Sequence, residues 1–345
     1  MRAPAGAAPP ERRQVCLVGC GVGGLIAAAV LRHHGHAPTL VVAPAPPADD
    51  RRALVLWSGA LALLEDLGID AVGGVTAAGT AARTWRSWDA DGSRRVEHAP
   101  PGDPPLLAVD RARVREALRG DLPSACLRLS KTPVAVDPSP DGPVVTFDDG
   151  VRERFDAVIG ADGRRSWVRR SVLGGAPRRS AGPTTWSFRS VAPLPPSTLL
   201  GAWGERRGLL LGPGARGRAV AGPGTDPASP TEAVRRIASS IPAPAVPDPD
   251  RLVDAARLDG HTGWARQWAR TGVALLGDAA HAFAPALALG ASLAVADAAA
   301  LAAALWIAAH PPFGVPTAAA IAAVAAAAVR RAERRPSAGD PGRVG

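Results

Sequence analysis

The chain has 345 residues, of which 47% are hydrophobic and 21% charged, so its composition is that of a globular protein and not of a disordered or fibrous one. Its 40 basic and 31 acidic residues leave a net charge of +9, but the arginines are scattered and no basic stripe alternates with aromatic residues, which argues against a nucleic-acid partner. Three cysteines without metal-ligand spacing argue against a disulfide framework or a zinc site and favour a reducing, cytoplasmic location.

The first residues of the chain do not have the pattern of a signal peptide. Residues 1–13 are rich in Ala and Pro and lack an apolar core, so we expect a disordered segment and not a signal peptide. Residues 336–345 are expected to form a disordered tail. The most apolar stretch, residues 294–309, is mostly alanine and contains Asp297, which favours a buried helix over a transmembrane segment.

The first third of the chain predicts a strand–helix–strand unit. Residues 14–18 form a short apolar run that ends in glycines, residues 24–34 have a helical pattern, and residues 39–42 form a second apolar run. Residues 54–67 also have a helical pattern, and Gly68 is placed to end that helix.

The middle of the chain predicts short strands and one charged helix. Asp149-Gly150 is a strong hairpin turn signal between two strand-like runs. The predicted elements are a loop or hairpin over residues 85–110, a helix over 111–119, hairpin strands over 144–147 and 151–155, and a strand over 157–159.

The remaining sequence divides into three parts. Residues 184–259 are rich in Pro and Gly and contain short apolar runs, which predicts a separate region with its own sheet. Residues 273–276 predict a buried strand that leads into a helix beginning near Gly290. Residues 316–335 predict an alanine-rich helix that ends in arginines.

The first chemical motif is GCGVGG at residues 19–24, between a predicted strand and a predicted helix. Gly19 allows the tight turn, Gly21 lets the backbone approach a pyrophosphate, and Gly24 lets the helix pack closely on the strand. The phosphates would bind backbone N–H groups at the positive end of the helix. The motif predicts a dinucleotide site that includes these three glycines and Gly23.

The usual partner of such a loop is an acidic residue at the end of the second strand, where it holds the ribose hydroxyls. Here that position is Ala43, in the run Val-Val-Ala-Pro. Asp49 and Asp50 follow in a loop and are the nearest carboxylates that could compensate for its absence.

The second motif is DAVIGADGRRSWVR at residues 156–169. It resembles the "GADG…S.VR" segment of the group A flavoprotein monooxygenases, the family of p-hydroxybenzoate hydroxylase and the ubiquinone-pathway hydroxylases. In that family the segment contacts both FAD and NAD(P)H, so the resemblance implies that Asp162 and Gly163 lie at the cofactor. The alternative is an ordinary Asp-Gly turn.

The third motif is GVALLGDAAHAFAP at residues 272–285, which resembles the "GDAAH…P" segment of the same family. The resemblance implies that Gly277, Asp278 and Pro285 lie at the cofactor, with the aspartate bonded to the ribityl chain of FAD. His281 is a candidate general base, and a structural histidine packed at the start of a helix is the favoured alternative.

Two arginines complete the resemblance. Arg52 matches the arginine of the family's "R.…L…LG" region, and Arg111 matches that of its "R..L…L" helix; the alternative for each is a solvated surface group. Gly290 and Ala291, at the start of the last predicted helix, are also expected at the cofactor. The resemblance covers most of residues 14–175 and 262–301.

The family resemblance implies an α/β fold, with a Rossmann-like FAD-binding domain and an inserted β-sheet substrate domain. We assign residues 14–80, 106–175 and 262–335 to the FAD-binding domain and residues 81–105 and 176–261 to the substrate domain. The implied activity is hydroxylation of an aromatic or polyketide-like small molecule, with FAD as cofactor, NADH or NADPH as co-substrate, and O2. The flavin supplies the redox chemistry, so no side-chain nucleophile is required, and no catalytic residue or metal is assigned.

Trp186, Phe188 and Trp203 are candidates to line the substrate pocket, with core packing as the alternative for each. Five cofactor positions depart from the family, one at the end of the second strand and four after Pro285, where the family has Gly-Gln-Gly, then Asn, then Glu-Asp. The departures are Ala43, Ala288, Leu289, Ser292 and Ala296.

Three other functions compete with monooxygenation. The five departures favour a non-catalytic or weakly flavin-binding homologue of the same fold. A flavin-dependent reductase or halogenase is a second alternative, although no WxWxIP-like segment of a halogenase is present. An NAD-dependent dehydrogenase would explain the first motif but not the second and third.

Overall fold

The computed structural model contains both α-helices and β-sheets. It describes residues 12–42, 53–69, 72–89, 95–99, 106–139, 141–175, 178–180, 184–190, 197–204, 207–212, 216–221, 228–238, 248–258, 262–283, 285 and 288–309. The helices within these ranges are α1 (Val22–His33), α2 (Ser58–Asp66), α3 (Val72–Ala77), α4 (Arg111–Gly120), α5 (Trp167–Val172), α6 (Pro230–Ala238) and α7 (Gly290–Ala309).

The first twelve strands lie between residues 14 and 160, from the start of the glycine motif region to the first part of the second motif. They are β1 (Gln14–Val18), β2 (Ala37–Val41), β3 (Ala53–Trp57), β4 (Gly79–Ala82), β5 (Thr84–Asp89), β6 (Arg95–His98), β7 (Leu106–Asp110), β8 (Leu127–Arg128), β9 (Pro133–Asp137), β10 (Val144–Phe147), β11 (Arg152–Arg154) and β12 (Ala157–Gly160).

The later strands span the Pro- and Gly-rich region and the third motif. They are β13 (Arg178–Ser180), β14 (Thr184–Ser190), β15 (Thr198–Gly204), β16 (Arg207–Gly212), β17 (Arg216–Ala221), β18 (Leu252–Leu258), β19 (Thr262–Trp264), β20 (Ala269–Arg270), β21 (Val273–Leu275) and β22 (His281–Ala282). Single 3₁₀ turns lie at Ser124–Cys126, Pro249–Arg251 and Gly277–Ala279.

A six-stranded sheet in the order β20-β21-β12-β1-β2-β8 forms the centre of the fold. All its neighbouring strands are parallel except the edge pair β20 and β21. Parallel sheets are covered on both faces, which explains the uninterrupted apolar runs of its inner strands. Leu17 of β1 packs on one face with α1, α4 and α7, whereas Val18 packs on the other face with α5 and Phe147 of β10.

A second, seven-stranded sheet has the order β18-β14-β17-β16-β15-β5-β6. Its strands come from two separated parts of the chain, since β5 pairs in parallel with β15. Alternate residues point to opposite faces of a strand. Leu200 and Leu209 therefore pack against α6 on one face, and Leu199 and Leu210 pack against β3 and β7 on the other.

The predicted strand–helix–strand unit, the hairpin at Asp149-Gly150 and the charged helix are confirmed as β1–α1–β2, β10–β11 and α4. The prediction of one helix over residues 54–67 is wrong in its first part. Ala53–Trp57 is strand β3, and only Ser58–Asp66 is helical. The strand forms because Leu106–Asp110 pairs with it in an antiparallel ladder, and a partner about fifty residues away leaves no local periodicity.

Residues 85–110 contain the predicted hairpin, β5 and β6, and also the strand β7. None of the described helices combines the length and apolar character needed to cross a bilayer. The predicted helix over 316–335, the tail over 336–345 and residues 1–11 lie outside the described residues.

Candidate dinucleotide-binding site

The three sequence motifs follow three neighbouring parallel strands. Loop 19–24 follows β1, loop 161–166 follows β12, and loop 276–281 follows β21, and these strands are adjacent in the order β21-β12-β1. The register pairs Val18 with Gly160 and Gly160 with Leu275, so all three loops leave the sheet at the same edge. Ligands of open α/β sheets bind at this carboxyl edge.

Close contacts require glycine at three positions of the loop between β1 and α1. Gly19 has φ of +116°, and a Cβ there would lie 2.6 Å from the carbonyl oxygen of Ala161. A Cβ on Gly24 would overlap the carbonyl oxygen of Gly19, and one on Gly23 would lie 2.8 Å from Leu276 Cδ2. Gly19 and Gly23 therefore hold the first motif against the second and third motifs, and Gly24 lets α1 pack closely on the turn at Gly19.

Gly21 is different, because it faces open space. A Cβ there would have only Arg111 Nη2 near it, at 3.8 Å. Gly21 is also the N-cap of α1, whose first backbone N–H groups have no partner within the helix. An uncovered glycine backbone, the N–H groups that begin α1 and a guanidinium form a cradle whose chemistry suits an anionic group such as a pyrophosphate.

Asp162 caps a helix in this structure. Its Oδ2 accepts hydrogen bonds from the backbone N–H groups of Trp167, at 2.6 Å, and Val168, at 3.0 Å. Burial raises the pKa of this carboxyl above its ordinary value, although hydrogen bonds from Ser166 and from the α5 backbone oppose the shift. Asp162 Oδ1 is buried and has no hydrogen bond from the described residues. Gly163 follows with φ of +77° and nothing near its Cβ position.

Arg169 joins the second motif to the third. Its side chain is buried, and its Nη1 donates to the carbonyl oxygen of Ala279 at 2.6 Å while its Nη2 donates to that of Arg164 at 2.7 Å. No role for Arg169 was predicted from the sequence. Its position in the second motif could have identified it, but arginine is so frequent in this chain that a single arginine does not stand out.

Asp278 lies beside the start of α7. Its Oδ2 is 3.4 Å from Arg164 Nε, and its Oδ1 is 3.6 Å from the position of a Cβ on Gly290. Arg164 also donates to the carbonyl oxygen of Phe283. The Asp278 side chain remains 37% exposed, so a carboxylate next to two glycines of the loops is accessible to a ligand.

His281 is paired with Asp297 in the core of the site. Its Nε2 lies 2.6 Å from Asp297 Oδ2, which also accepts the backbone N–H of Gly277 at 2.7 Å. Burial lowers the pKa of His281, but the hydrogen bond and charge of Asp297 outweigh burial, so the pKa lies above its ordinary value. The ring packs against Trp268 at 5.1 Å and Phe283 at 5.7 Å between centroids. This environment supports a structural role, in strand β22 and not at the start of a helix.

The loop that enters α7 and the first two turns of that helix contain four of the five departures from the family pattern. Ala288 has φ of +53° and a buried side chain, and Ser292 Oγ accepts the backbone N–H of Trp57 at 3.2 Å. Leu289 is half-buried and Ala296 is exposed on α7. Pro285 accepts the backbone N–H of Ala288 at 3.1 Å, and Ala291 packs against the core of α1 and α7.

One face of the seven-stranded sheet approaches this loop. Leu199 and Leu210 of that face share an apolar cluster with Ala288, and Trp85 and Trp57 pack on the cluster with ring centroids 5.7 Å apart. These two tryptophans were not predicted as pocket residues, because nothing in the sequence shows which face of a strand meets the loop.

The proposed pocket residues Trp186 and Phe188 lie on the opposite face. They belong to the cluster that packs against α6, as the core-packing alternative had it. Three further predicted positions lie outside what the structure describes, namely Ala43, Arg52 and the side chain of Trp203. Within the described ranges, His, Cys, Asp and Glu residues form no group that could hold a metal ion.

A family described as "FAD binding domain" matches residues 12–310. The chain is 34% identical over 179 residues to 3-amino-4-hydroxybenzoate 2-monooxygenase of Streptomyces cremeus, a match that covers 48% of this chain and 43% of that protein. It is 28% identical to aurachin C monooxygenase/isomerase of Stigmatella aurantiaca, over 86% of this chain and 82% of that protein. The chain thus spans less than half of the first relative and most of the second.

Solved structures share the fold. Klebsiella pneumoniae HpxO complexed with FAD and uric acid has a TM-score of 0.74 and 23% identity, over 92% of this chain and 85% of that one. Tetrameric 2-methyl-3-hydroxypyridine-5-carboxylic acid oxygenase has a TM-score of 0.73 and 24% identity, over 94% of this chain and 89% of that one. These matches confirm the predicted α/β fold, with an FAD-binding Rossmann-like part and an added sheet.

Proposed function

The chain belongs to the FAD-binding-domain family, and we propose that it is an FAD-dependent monooxygenase that uses NAD(P)H and O2 to hydroxylate an aromatic or polyketide-like small molecule. The observation that carries this proposal is the convergence of all three motifs at one edge of the sheet, on the adjacent strands β1, β12 and β21. A plain NAD-dependent dehydrogenase requires only the first of these loops.

The residues at this edge fit FAD. Gly21 and Arg111 would hold the pyrophosphate, with Gly19, Gly23 and Gly24 shaping the loop around it. When bound, FAD supplies electron transfer from NAD(P)H and the transfer of one oxygen atom from O2.

The second and third motifs supply the rest of the cofactor contacts that we propose. Asp278 would accept hydrogen bonds from ribityl hydroxyls, since it is the accessible carboxylate beside Gly277 and Gly290. Gly163 would let the backbone approach the cofactor, while Asp162 holds that loop by capping α5. Pro285, Ala291 and Arg52 complete the set by resemblance to the family.

The substrate would lie between the loop entering α7 and the face of the second sheet that carries Leu199, Leu210 and Trp85. An apolar and aromatic lining suits an aromatic ring or a polyketide-like skeleton. The named activities of the relatives support this, since an aminohydroxybenzoate monooxygenase and a heptyl-hydroxyquinolone synthase of Pseudomonas aeruginosa are both among them.

The proposal includes the division of the chain into an FAD-binding part, residues 14–80, 106–175 and 262–335, and a substrate part, residues 81–105 and 176–261. It also includes a cytoplasmic location, which the free thiols of the three cysteines support.

A non-catalytic homologue is the second candidate, and Ala288 is the observation that favours it. Its methyl group is packed into the apolar cluster at a backbone conformation that suits glycine, in the loop that meets the flavin in the family. A flavin-dependent reductase would retain FAD and oxidise NAD(P)H without hydroxylating any substrate.

The visible absorbance spectrum of the purified chain, before and after addition of FAD, separates these candidates. We expect flavin bands that persist through desalting, NAD(P)H oxidation that phenols or quinolones accelerate, and products heavier by one oxygen atom. Retained flavin with NAD(P)H oxidation but no oxygenated product would favour the reductase. No retained flavin at high added FAD would favour the non-catalytic homologue.

A further inference from the structure

Arg164 lies between the second and third motifs, and its backbone is held in a closed turn. Gly163 precedes it with φ of +77°, and the N–H of Ser166 donates to the carbonyl oxygen of Gly163 at 2.9 Å. The buried guanidinium of Arg169 donates to the carbonyl oxygen of Arg164 at 2.7 Å. The Arg164 side chain therefore starts from a defined point of this loop.

The Arg164 side chain reaches two points of the third motif. Its Nε lies 3.4 Å from Asp278 Oδ2 in an ion pair, and its Nη2 donates to the carbonyl oxygen of Phe283. These two partners flank the end of the 3₁₀ turn and strand β22, so one guanidinium spans that segment. A planar group with donors in fixed directions can hold two acceptors at once, which a lysine ammonium does less well.

The ion pair occupies one oxygen of Asp278 and directs the other towards α7. Oδ2 faces Arg164, whereas Oδ1 lies 3.6 Å from the position of a Cβ on Gly290, the first residue of α7. The χ2 torsion of an aspartate is broad, so a carboxylate without a fixed partner takes many orientations. Arg164 therefore selects the orientation in which Oδ1 is presented at the start of α7.

The next residue, Arg165, provides a contrast within the same loop. It is exposed, and its carbonyl oxygen accepts a hydrogen bond from Arg170. Both arginines fall at unspecified positions of the family's "GADG…S.VR" segment, so the resemblance assigns a role to neither of them. The contacts with Asp278 and Phe283 distinguish Arg164 from its neighbour.

We infer that Arg164 is a positioning residue for the cofactor, because it holds Asp278 so that Oδ1 accepts a hydrogen bond from a ribityl hydroxyl. The inference rests on the proposed function in one respect, that Asp278 contacts the ribityl chain. That chain carries neutral hydroxyl groups, so the effect of Arg164 should not require phosphate groups on the ligand. Riboflavin, which has the ring and the ribityl chain but no phosphate, should therefore report the effect as well as FAD does.

Titration of FAD and of riboflavin into the full chain, freed of flavin, tests this inference through the quenching of flavin fluorescence. Arg164→Met removes the ion pair and should weaken the binding of both ligands about tenfold. Arg164→Lys keeps the charge but not the planar donor set, so its loss should be smaller, about threefold.

The decisive comparison is made in an Asp278→Ala background, which lacks the group that Arg164 positions. Arg164→Met should change the affinity of that chain by less than about twofold, since contacting residues are not additive. A further loss of about tenfold in this background would overturn the inference, because Arg164 would then act through another group. A loss for FAD without a loss for riboflavin would also overturn it, because the guanidinium would then be attracting phosphate.

Arg165→Met is the matched control, since it removes the same charge from the next residue of the loop. It should leave both affinities within about twofold of wild type. Equal losses in Arg164→Met and Arg165→Met would contradict the positioning role. Urea denaturation shows whether each variant is folded under the titration conditions, and Arg164→Lys in the two Asp278 backgrounds gives the same comparison if Arg164→Met unfolds.

The outcome is separable from that of the proposed function. A chain that binds FAD and oxygenates its substrate, but in which the effects of Arg164→Met and Asp278→Ala are additive, loses only the positioning role. A chain in which the two effects are coupled but no oxygenated product forms keeps that role and loses the monooxygenase proposal. A chain that binds neither flavin contradicts both.

Discussion

The loops that follow β1, β12 and β21 are built differently from the loop that enters α7. The first three meet through close contacts at Gly19 and Gly23 that leave no room for a Cβ, and through the buried side chain of Arg169, which links two of them. The loop at Ala288 instead meets the second sheet through methyl, isobutyl and indole groups. Backbone packing dictates residue identity, whereas apolar packing tolerates exchange of side chains of similar size. The difference explains why the motifs keep the family pattern while four of its five departures lie in or just after the loop at Ala288.

Gly24→Ala should have the largest effect, and it tests whether close backbone contacts require glycine in the motif loops. The added Cβ would overlap the carbonyl oxygen of Gly19, and the neighbour is backbone that cannot rotate away. We expect a loss of about 4 kcal/mol in the free energy of unfolding, measured by urea denaturation.

Gly21→Ala tests FAD binding, whereas Gly24→Ala tests the stability of the fold. Gly21 has φ of −75°, which any residue adopts, and its Cβ position is open, so the fold should remain within about 1 kcal/mol of wild type. FAD affinity, measured by quenching of flavin fluorescence, should fall about tenfold because the methyl group enters the cradle. Gly120→Ala at the exposed end of α4 is the control; it should leave FAD affinity unchanged and raise stability by at most about 1 kcal/mol through helix propensity. A Gly24→Ala chain as stable as wild type would remove the backbone argument.

Arg169→Met tests the side-chain link between the second and third motifs. It would leave the carbonyl oxygens of Ala279 and Arg164 buried without these donors, at a cost of about 2–3 kcal/mol. Thermal and urea unfolding of the variant measure the loss, and FAD retention should fall with it because the two loops that we propose to contact FAD would separate.

The neighbouring Arg170 provides the control for that prediction. It is exposed and donates to the carbonyl oxygen of Arg165, so Arg170→Met should cost about 0.5 kcal/mol or less. Equal losses in the two variants would show that arginine content, and not the buried link, stabilises this edge.

The sequence predicted the glycine-rich loops better than it predicted contacts between distant parts of the chain. Glycine spacing after an apolar run identified the loop at Gly19 because the physical requirement is local. Strand β3 was missed because its ladder partner lies about fifty residues away. Phe188 was offered as a pocket residue although Trp85 faces the loop, because alternation shows that a strand has two faces but not which neighbour covers each.

The buried pair of His281 and Asp297 gives a pH-dependent test of the packing around the third motif. The folded-state pKa of His281 is raised, so the pair stabilises the fold fully below the unfolded-state pKa, and this stability is lost as pH rises through the folded-state pKa. His281→Gln keeps a donor for Asp297 but not the charge. Its deficit against wild type should be about 1 kcal/mol near pH 5.5 and smaller near pH 9.

His36 has the opposite sign and serves as the control for that test. Burial lowers its pKa in the folded chain, and the charges of His34 and Arg13 add to the effect, so its contribution is present above the unfolded-state pKa and is lost as pH falls. A deficit of His281→Gln that grew with rising pH, as expected for His36→Gln, would contradict the assignment of a charged pair.

Ala288→Gly should have the smallest effect, and it tests the apolar packing around the loop that enters α7. Glycine would relieve a left-handed backbone conformation that costs alanine about 1–2 kcal/mol, but it would lose a buried methyl group worth about 0.8 kcal/mol and add backbone entropy to the unfolded chain. These terms nearly cancel, so stability should stay within about 0.5 kcal/mol and FAD affinity within about twofold. Ala296→Gly, the same exchange at an exposed position of α7, should cost about 1 kcal/mol through helix propensity alone. If Ala288→Gly instead tightened FAD binding about tenfold, the methyl group would be crowding the flavin, and this departure from the family pattern would be a barrier to cofactor binding and not a neutral exchange within an apolar contact.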